Sequence, residues 1–114
     1  FPAVTCDVAV IHAPIADRFG NARLKGNLAV DQELSMVAKH VIVTAEEIVD
    51  ELTAPIELTG LAVTAVVHAP RGAWPTSCYP NYAVAGEEIL RYSDACAANT
   101  FEEYARALLT TADH

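Results

Sequence analysis

The sequence predicts an α/β fold: an open parallel or mixed sheet flanked by helices. Three observations predict it. Residues 7–13, 41–45 and 61–67 are apolar runs rich in Val, Ile and Ala. They are continuous rather than alternating, as in strands buried on both faces of a parallel sheet. Segments of helical or irregular character separate them, as parallel pairing requires. The chain has 114 residues, 53 % of them hydrophobic, which suits one domain with a buried core. Residues 1–114 are therefore read as a single domain.

The first run, Asp7-Val-Ala-Val-Ile-His-Ala13, is expected to close at Pro14. Residues 14–29 carry Pro14, Gly20, Asn21, Gly26 and Asn27 and read as a long loop with a small ribbon at 22–25. Asp31 is placed to cap a helix running to about Lys39, with Leu34 and Val37 on one face. Lys39 and His40 would then sit at its C-terminal end, where positive charge suits the helix dipole. Residues 41–45 form the second strand. Residues 46–51 read either as a short helical turn or as extended chain. Residues 61–67 form the third strand, and residues 70–82, rich in Pro, Gly, Tyr and Trp, a structured loop. A helix is expected from about Gly86 through Ile89, Leu90, Tyr92 and Ala95. Thr100-Phe101-Glu102-Glu103 has the pattern of a capping box and opens a last helix. Three strands leave long sheet edges unpaired, which points to a larger sheet or a partner chain.

Composition narrows the function. Seven basic residues stand against 15 acidic ones, for a net charge of −8. With no basic cluster, nothing holds a nucleic-acid backbone, and an anionic membrane surface repels the chain. No apolar run approaches the roughly 20 residues a bilayer requires. Cys6, Cys78 and Cys96 are widely spaced, with no C-x-x-C. They read as free thiols in a reducing compartment, hence a cytoplasmic protein.

Two segments echo one another. Val10-Ile11-His12-Ala13-Pro14 and Val66-Val67-His68-Ala69-Pro70 each close a strand with His-Ala-Pro. Parallel strands bring both histidines and the Glu46-Glu47 pair to one carboxyl edge, where open α/β sheets bind ligands. His12, His68 and Glu46 there could ligate zinc or iron, or each histidine could bond backbone at a strand end. The latter is the expectation, with no metal. Glu46 and Glu47 could act as a general base or nucleophile, or lie at a solvated strand end. Asp17-Arg18-Phe19-Gly20-Asn21 reads as a turn in which Asp and Asn bond their own backbone.

The nonapeptide Gly72-Ala73-Trp74-Pro75-Thr76-Ser77-Cys78-Tyr79-Pro80 is the most unusual segment. Gly72 permits close backbone approach, and Pro75 and Pro80 rigidify the chain. Trp74 and Tyr79 offer flat apolar surfaces, and Thr76 and Ser77 offer hydroxyls. These are the parts of a small-molecule pocket, or of an aromatic lid or subunit contact. Cys78 is a nucleophile only if a nearby base lowers its pKa, and otherwise a packed thiol. No G-x-S-x-G, G-x-G-x-x-G or P-loop is present.

Four segments together resemble a known family: Asp7-Val-Ala-Val-Ile-His-Ala13, Ala16-Asp17-Arg-Phe-Gly20-Asn21-Ala22, Lys39-His-Val-Ile-Val-Thr-Ala-Glu46-Glu47-Ile48-Val49 and Gly72-Ala-Trp-Pro-Thr-Ser-Cys-Tyr79. In this order they resemble the C-terminal half of the alpha subunit of family I CoA-transferases, most closely the glutaconate CoA-transferase type. The resemblance implies a CoA-transferase-like open sheet and a hetero-oligomer of alpha and beta subunits. It implies transfer of CoA from an acyl-CoA to a carboxylic acid, with coenzyme A thioesters as substrates and no tightly bound cofactor. The nucleophile it implies is a glutamate on the beta subunit, so no residue of this chain inherits that catalytic role. Gly72, Ala73, Trp74, Pro75, Thr76, Ser77, Cys78 and Tyr79 are expected to shape the acyl or carboxylate pocket. The family's N-terminal glycine-rich segment has no counterpart here, so the chain is expected to be a portion of a longer alpha subunit. The alternatives are a non-catalytic assembly module and a CoA-thioester hydrolase of the same family.

Overall fold

The computed structural model describes residues 2–26 and 28–110. Two long strands carry the fold. β1 (Cys6–Asp17) and β3 (Ala38–Val49) run parallel in a constant register, from Cys6 opposite Ala38 to Asp17 opposite Val49. β2 (Ala22–Arg23) pairs antiparallel with the end of β1, and β4 (Ala65–His68) pairs parallel with β3. The sheet is therefore mixed, in the order β2-β1-β3-β4. α1 (Asp31–Val37) connects β2 to β3, and α2 (Gly86–Ala97) and α3 (Phe101–Thr110) follow the sheet.

Several element boundaries differ from expectation, each for a physical reason. β1 does not close at Pro14 but continues to Asp17. Proline has no N–H to give, and the ladder passes it by, stepping from Ala13 opposite Ala45 to Ile15 opposite Glu47. α1 ends at Val37 instead of Lys39, because Ala38, Lys39 and His40 already belong to β3. The β-branched run behind them favours the strand. Asp31 is the first helical residue, Val30 occupies the cap position, and no side chain caps the helix. Of the two readings of residues 46–51, the extended one holds through Val49. β4 covers only Ala65–His68. Residues before it turn, with the Ala62 amide bonded to Thr59 O and the Val63 amide to Gly60 O, before the Thr64 amide reaches Val41 O of β3. α3 begins where the capping sequence predicts, while the Thr100 hydroxyl donates back to the Ala95 carbonyl at 3.4 Å.

The core lies on one face of the sheet. Ala9, Ile11, Ala13, Val41, Val43 and Ala45 alternate inward and pack with Leu24 and Leu58, flanked by Leu34, Val63 and Val66. The opposite face carries apolar residues at its amino end, where Val8 and Val10 are 51 and 62 % exposed, and His12, Thr44 and Glu46 toward the carboxyl edge. The outward Val8, Val10, Ile42 and Val67 make the strands read as continuous apolar runs, although the described residues bury one face only. α2 and α3 are tied to each other by the Tyr104 hydroxyl donating to Glu88 at 2.6 Å and by edge-to-face packing of Tyr92 on Phe101.

The turn predicted at 17–21 does form, and it organises the far side of the carboxyl edge. Asp17 is fully buried and accepts from the amides of Phe19, Asn21 and Leu52 and from the Asn21 side chain, each at 3.0 Å. Burial alone pushes this carboxyl up, but those bonds outweigh it and hold it below its ordinary value. Asn21 in turn accepts the Gly60 amide at 2.8 Å. A Cβ on Gly60 would lie 2.2 Å from the Phe19 carbonyl oxygen, so only glycine fits there.

Candidate active site

Parallel register decides what meets at the carboxyl edge. His12 sits opposite Thr44, and in a pleated strand Glu46 projects on the same face one repeat beyond. The His12 ring bridges the two: Nδ1 lies 2.7 Å from the Thr44 hydroxyl, and Nε2 lies 2.6 Å from a Glu46 oxygen. The second expected histidine, His68, is exposed and reaches only the Glu46 backbone carbonyl, at 3.2 Å.

Glu46 is the centre of the network. Its side chain is 8 % exposed. One carboxylate oxygen accepts the Arg71 amide at 2.8 Å. The other accepts from His12, from the Tyr82 hydroxyl at 3.1 Å and from the Gly72 amide at 3.3 Å. Burial pushes the carboxyl up, but the bonds from Arg71, His12 and Tyr82 together outweigh it and hold it below the ordinary carboxylate range. Glu46 is therefore ionised at neutral pH, and His12 Nε2 donates to it. The Tyr82 phenol is pushed up by burial and by its bond to Glu46.

The loop expected at 70–82 wraps this centre. Tyr82 OH accepts the Ala73 amide at 3.0 Å while donating to Glu46. Cys78 and Tyr82 exchange backbone bonds at 3.1 and 3.0 Å. The Arg71 guanidinium lies 5.5 Å from the centre of the Tyr82 ring. Gly72 presses so close to β1 that a Cβ there would lie 2.8 Å from the His12 ring and from the Ala69 carbonyl.

A cleft of about 280 Å³ opens beside the network, between the loop, the end of β1 and the segment entering α1. The expected pocket residues divide around it. Ala73, Ser77, Cys78 and Tyr79 line the cleft with His12 and Pro14. Pro75 and Thr76 face away, into an apolar groove against α2 and α3. Gly72 supports the cleft from below, its amide already engaged by Glu46 and by Ala69 O. Trp74 is half-buried in the turn, its amide bonded to Arg71 O.

Cys78 is buried, and burial together with the Glu46 charge pushes its thiol up, away from the nucleophilic thiolate. Donor atoms of His12, Glu46 and Cys78 lie within 4.8 Å of one another, so the close trio contains Cys78 and not the expected His68. Both His12 nitrogens and both Glu46 oxygens are already hydrogen-bonded within the protein. Sequence reasoning missed Tyr82, Thr44 and Lys25, which also lines the cleft. Tyr82 stands four residues beyond Cys78, a spacing with no signature of its own. Thr44 becomes visible only once the strand register is known.

No protein-family model matches the chain. The A subunit of the 3-oxoadipate CoA-transferase of Pseudomonas knackmussii is 48 % identical over 84 residues, covering 71 % of this chain and 30 % of that protein. The A subunit of the glutaconate CoA-transferase of Acidaminococcus fermentans is 38 % identical over 86 residues, 71 % of this chain and 27 % of that one. The crystal structure of the latter enzyme superposes with a TM-score of 0.80 at 32 % identity, over 91 % of this chain and 34 % of that chain. A variant of the decarboxylase AibA/AibB superposes with a TM-score of 0.86 at 36 % identity, over 96 % of this chain and 41 % of that chain. The chain thus spans less than a third of the length of these two curated relatives.

Proposed function

We propose, from the premise that this chain is homologous to one segment of CoA-transferase A subunits, that it helps move CoA from an acyl-CoA donor to a carboxylic acid. It does so as the C-terminal portion of an A subunit working with a B subunit in the cytoplasm. The observation that carries this reading is the cleft at the carboxyl edge. It is lined by the loop that holds the sequence's most specific match to the family, in the place where parallel sheets bind ligands.

In the proposed reaction a glutamate carboxylate from the B subunit attacks the thioester carbonyl, forming a mixed anhydride and releasing CoA thiolate. The thiolate attacks the glutamyl carbonyl of the anhydride, giving a glutamyl-CoA thioester and the free donor acid. The acceptor carboxylate then runs both steps in reverse. No water and no redox step enter. A carboxylate is a weak nucleophile, so positioning and charge stabilisation carry the rate. This chain's part is to position. Ser77 offers a hydroxyl to the substrate carboxylate or carbonyl, and Tyr79, 78 % exposed, a flat wall. The amides of Gly72 and Ala73 hold the loop together, being bonded within the network.

The likeness to a decarboxylase favours one further reading, in which the same cleft holds a substrate that loses CO2. Product analysis of the full-length subunit with its partner separates the readings. Transfer gives a new acyl-CoA in equal amount to the donor acyl-CoA consumed, with no free CoA. Hydrolysis gives free CoA, and decarboxylation gives CO2. Free CoA or CO2 as the main product overturns the transferase reading.

A further inference from the structure

We propose that Glu46 is a positioning residue: its carboxylate clamps both ends of the 70–82 loop onto the carboxyl ends of β1 and β3, and so fixes which loop groups face the cleft. The inference rests on the cleft being the acyl site argued above, but its test does not need that reading to hold.

The geometry is that of a clamp. Arg71 and Gly72, at the start of the loop, donate amides to Glu46, and Tyr82, at its end, donates its hydroxyl. One carboxylate therefore closes the loop on itself. His12 ties the same carboxylate to β1 at 2.6 Å, and Thr44 holds the His12 ring from behind. Ala73, Ser77, Cys78 and Tyr79 hang between the two anchored ends and line the cleft. The neighbouring Glu47 points away and is exposed, so the adjacent acids divide into one clamp and one solvated group.

The clamp has a chemical consequence. Cys78 lines a cleft proposed to take a thioester. A thiolate there would attack the acyl carbon, form an S-acyl cysteine and expel CoA thiolate, diverting the acyl group. Glu46 holds the loop closed over Cys78 and sets a negative charge beside its sulfur, within 4.8 Å. Tyr79 and Tyr82 from the loop, His12 from β1, and Lys25 and Asp31 around the start of α1 are the other titratable groups facing this cleft or network, with the Arg71 guanidinium on the Tyr82 ring and His68 on the Glu46 carbonyl.

Alkylation of Cys78 by iodoacetamide tests this in the full-length subunit, followed peptide by peptide by mass spectrometry from about pH 6 to 10, with exposed Cys96 as internal control. In Glu46→Gln the Cys78 rate at pH 8 rises severalfold, because the carboxylate charge that helps burial push the thiol up is gone and the loop is no longer held closed over it. The pH midpoint moves down, while Cys96 is unchanged. A folded Glu46→Gln variant whose Cys78 keeps the wild-type rate and midpoint overturns the proposal. Should that variant not fold, Tyr82→Phe removes one donor and carries the test: a faster Cys78 supports the clamp and an unchanged rate overturns it. If Cys78 responds as expected but the assembled enzyme shows no dependence on the cleft residues, the clamp stands and the acyl-site reading falls.

Discussion

His12 and Glu46, 34 residues apart in sequence, meet at 2.6 Å because β1 and β3 run parallel in register. An antiparallel overlap of the same two strands would set Glu46 opposite Ala9, three residues from His12, and the two side chains would not meet. The contact also sets the floor of the cleft, since Gly72 of the loop lies directly against the His12 ring.

Stability depends on acid pH through two carboxyls. Asp17 and Glu46 both sit below their ordinary values in the folded state. Each therefore contributes stability that is full above the ordinary carboxylate range and is lost as pH falls through the folded value. Denaturant unfolding free energy is expected to decline below about pH 4. In Asp17→Asn combined with Glu46→Gln the dependence flattens, and an acid slope unchanged from wild type contradicts the assignment.

Asp17→Ala removes the acceptor for the Leu52, Asn21 and Phe19 amides in a fully buried site. Leaving buried donors unpaired costs about 1–3 kcal/mol each, so a total loss of about 3 kcal/mol or more is expected. Urea titration with the m-value held constant measures it. A loss below about 1 kcal/mol would show that the turn is not held by this carboxylate.

Two glycines separate space from conformation. Gly60→Ala places a Cβ 2.2 Å from Phe19 O and is expected to destabilise by about 2–4 kcal/mol. Gly86→Ala, at the start of α2 with open space around it, is expected to be neutral or to stabilise by up to about 1 kcal/mol. Thermal unfolding of both variants checks the contrast.

Leu58 is 1 % exposed and packs against the core face of the sheet. Leu58→Ala is expected to cost about 2–5 kcal/mol through lost burial and the cavity left behind. A smaller loss would mean that the segment between β3 and β4 collapses to fill the space.

The sheet was legible because its signal is local. The runs at 7–13 and 41–45 are β-branched and continuous, and both became strands of the parallel pair. Their lengths were not legible. Pro14 looks like a terminator in one dimension, yet the paired β3 carries β1 past it. Likewise, Lys39 and His40 suit a helix end until the register of β3 claims them. The site was legible in part. His12, Glu46 and the loop were singled out, and the parallel pairing brings them together. The division of the loop between cleft and groove was not readable, because it depends on the direction of each side chain around a turn. Tyr82 and Thr44 were missed for the same reason: each acts through a contact made across many residues of intervening chain.

The central claim is that the cleft beside the His12–Glu46 pair receives the acyl or carboxylate group. The most direct measurement is steady-state kinetics of Ser77→Ala in the full-length subunit in complex with its partner, varying the acceptor carboxylate. Loss of one hydrogen bond to a charged group predicts a rise in KM of about tenfold or more, with unfolding temperature unchanged. Wild-type KM and kcat in that variant would contradict the claim.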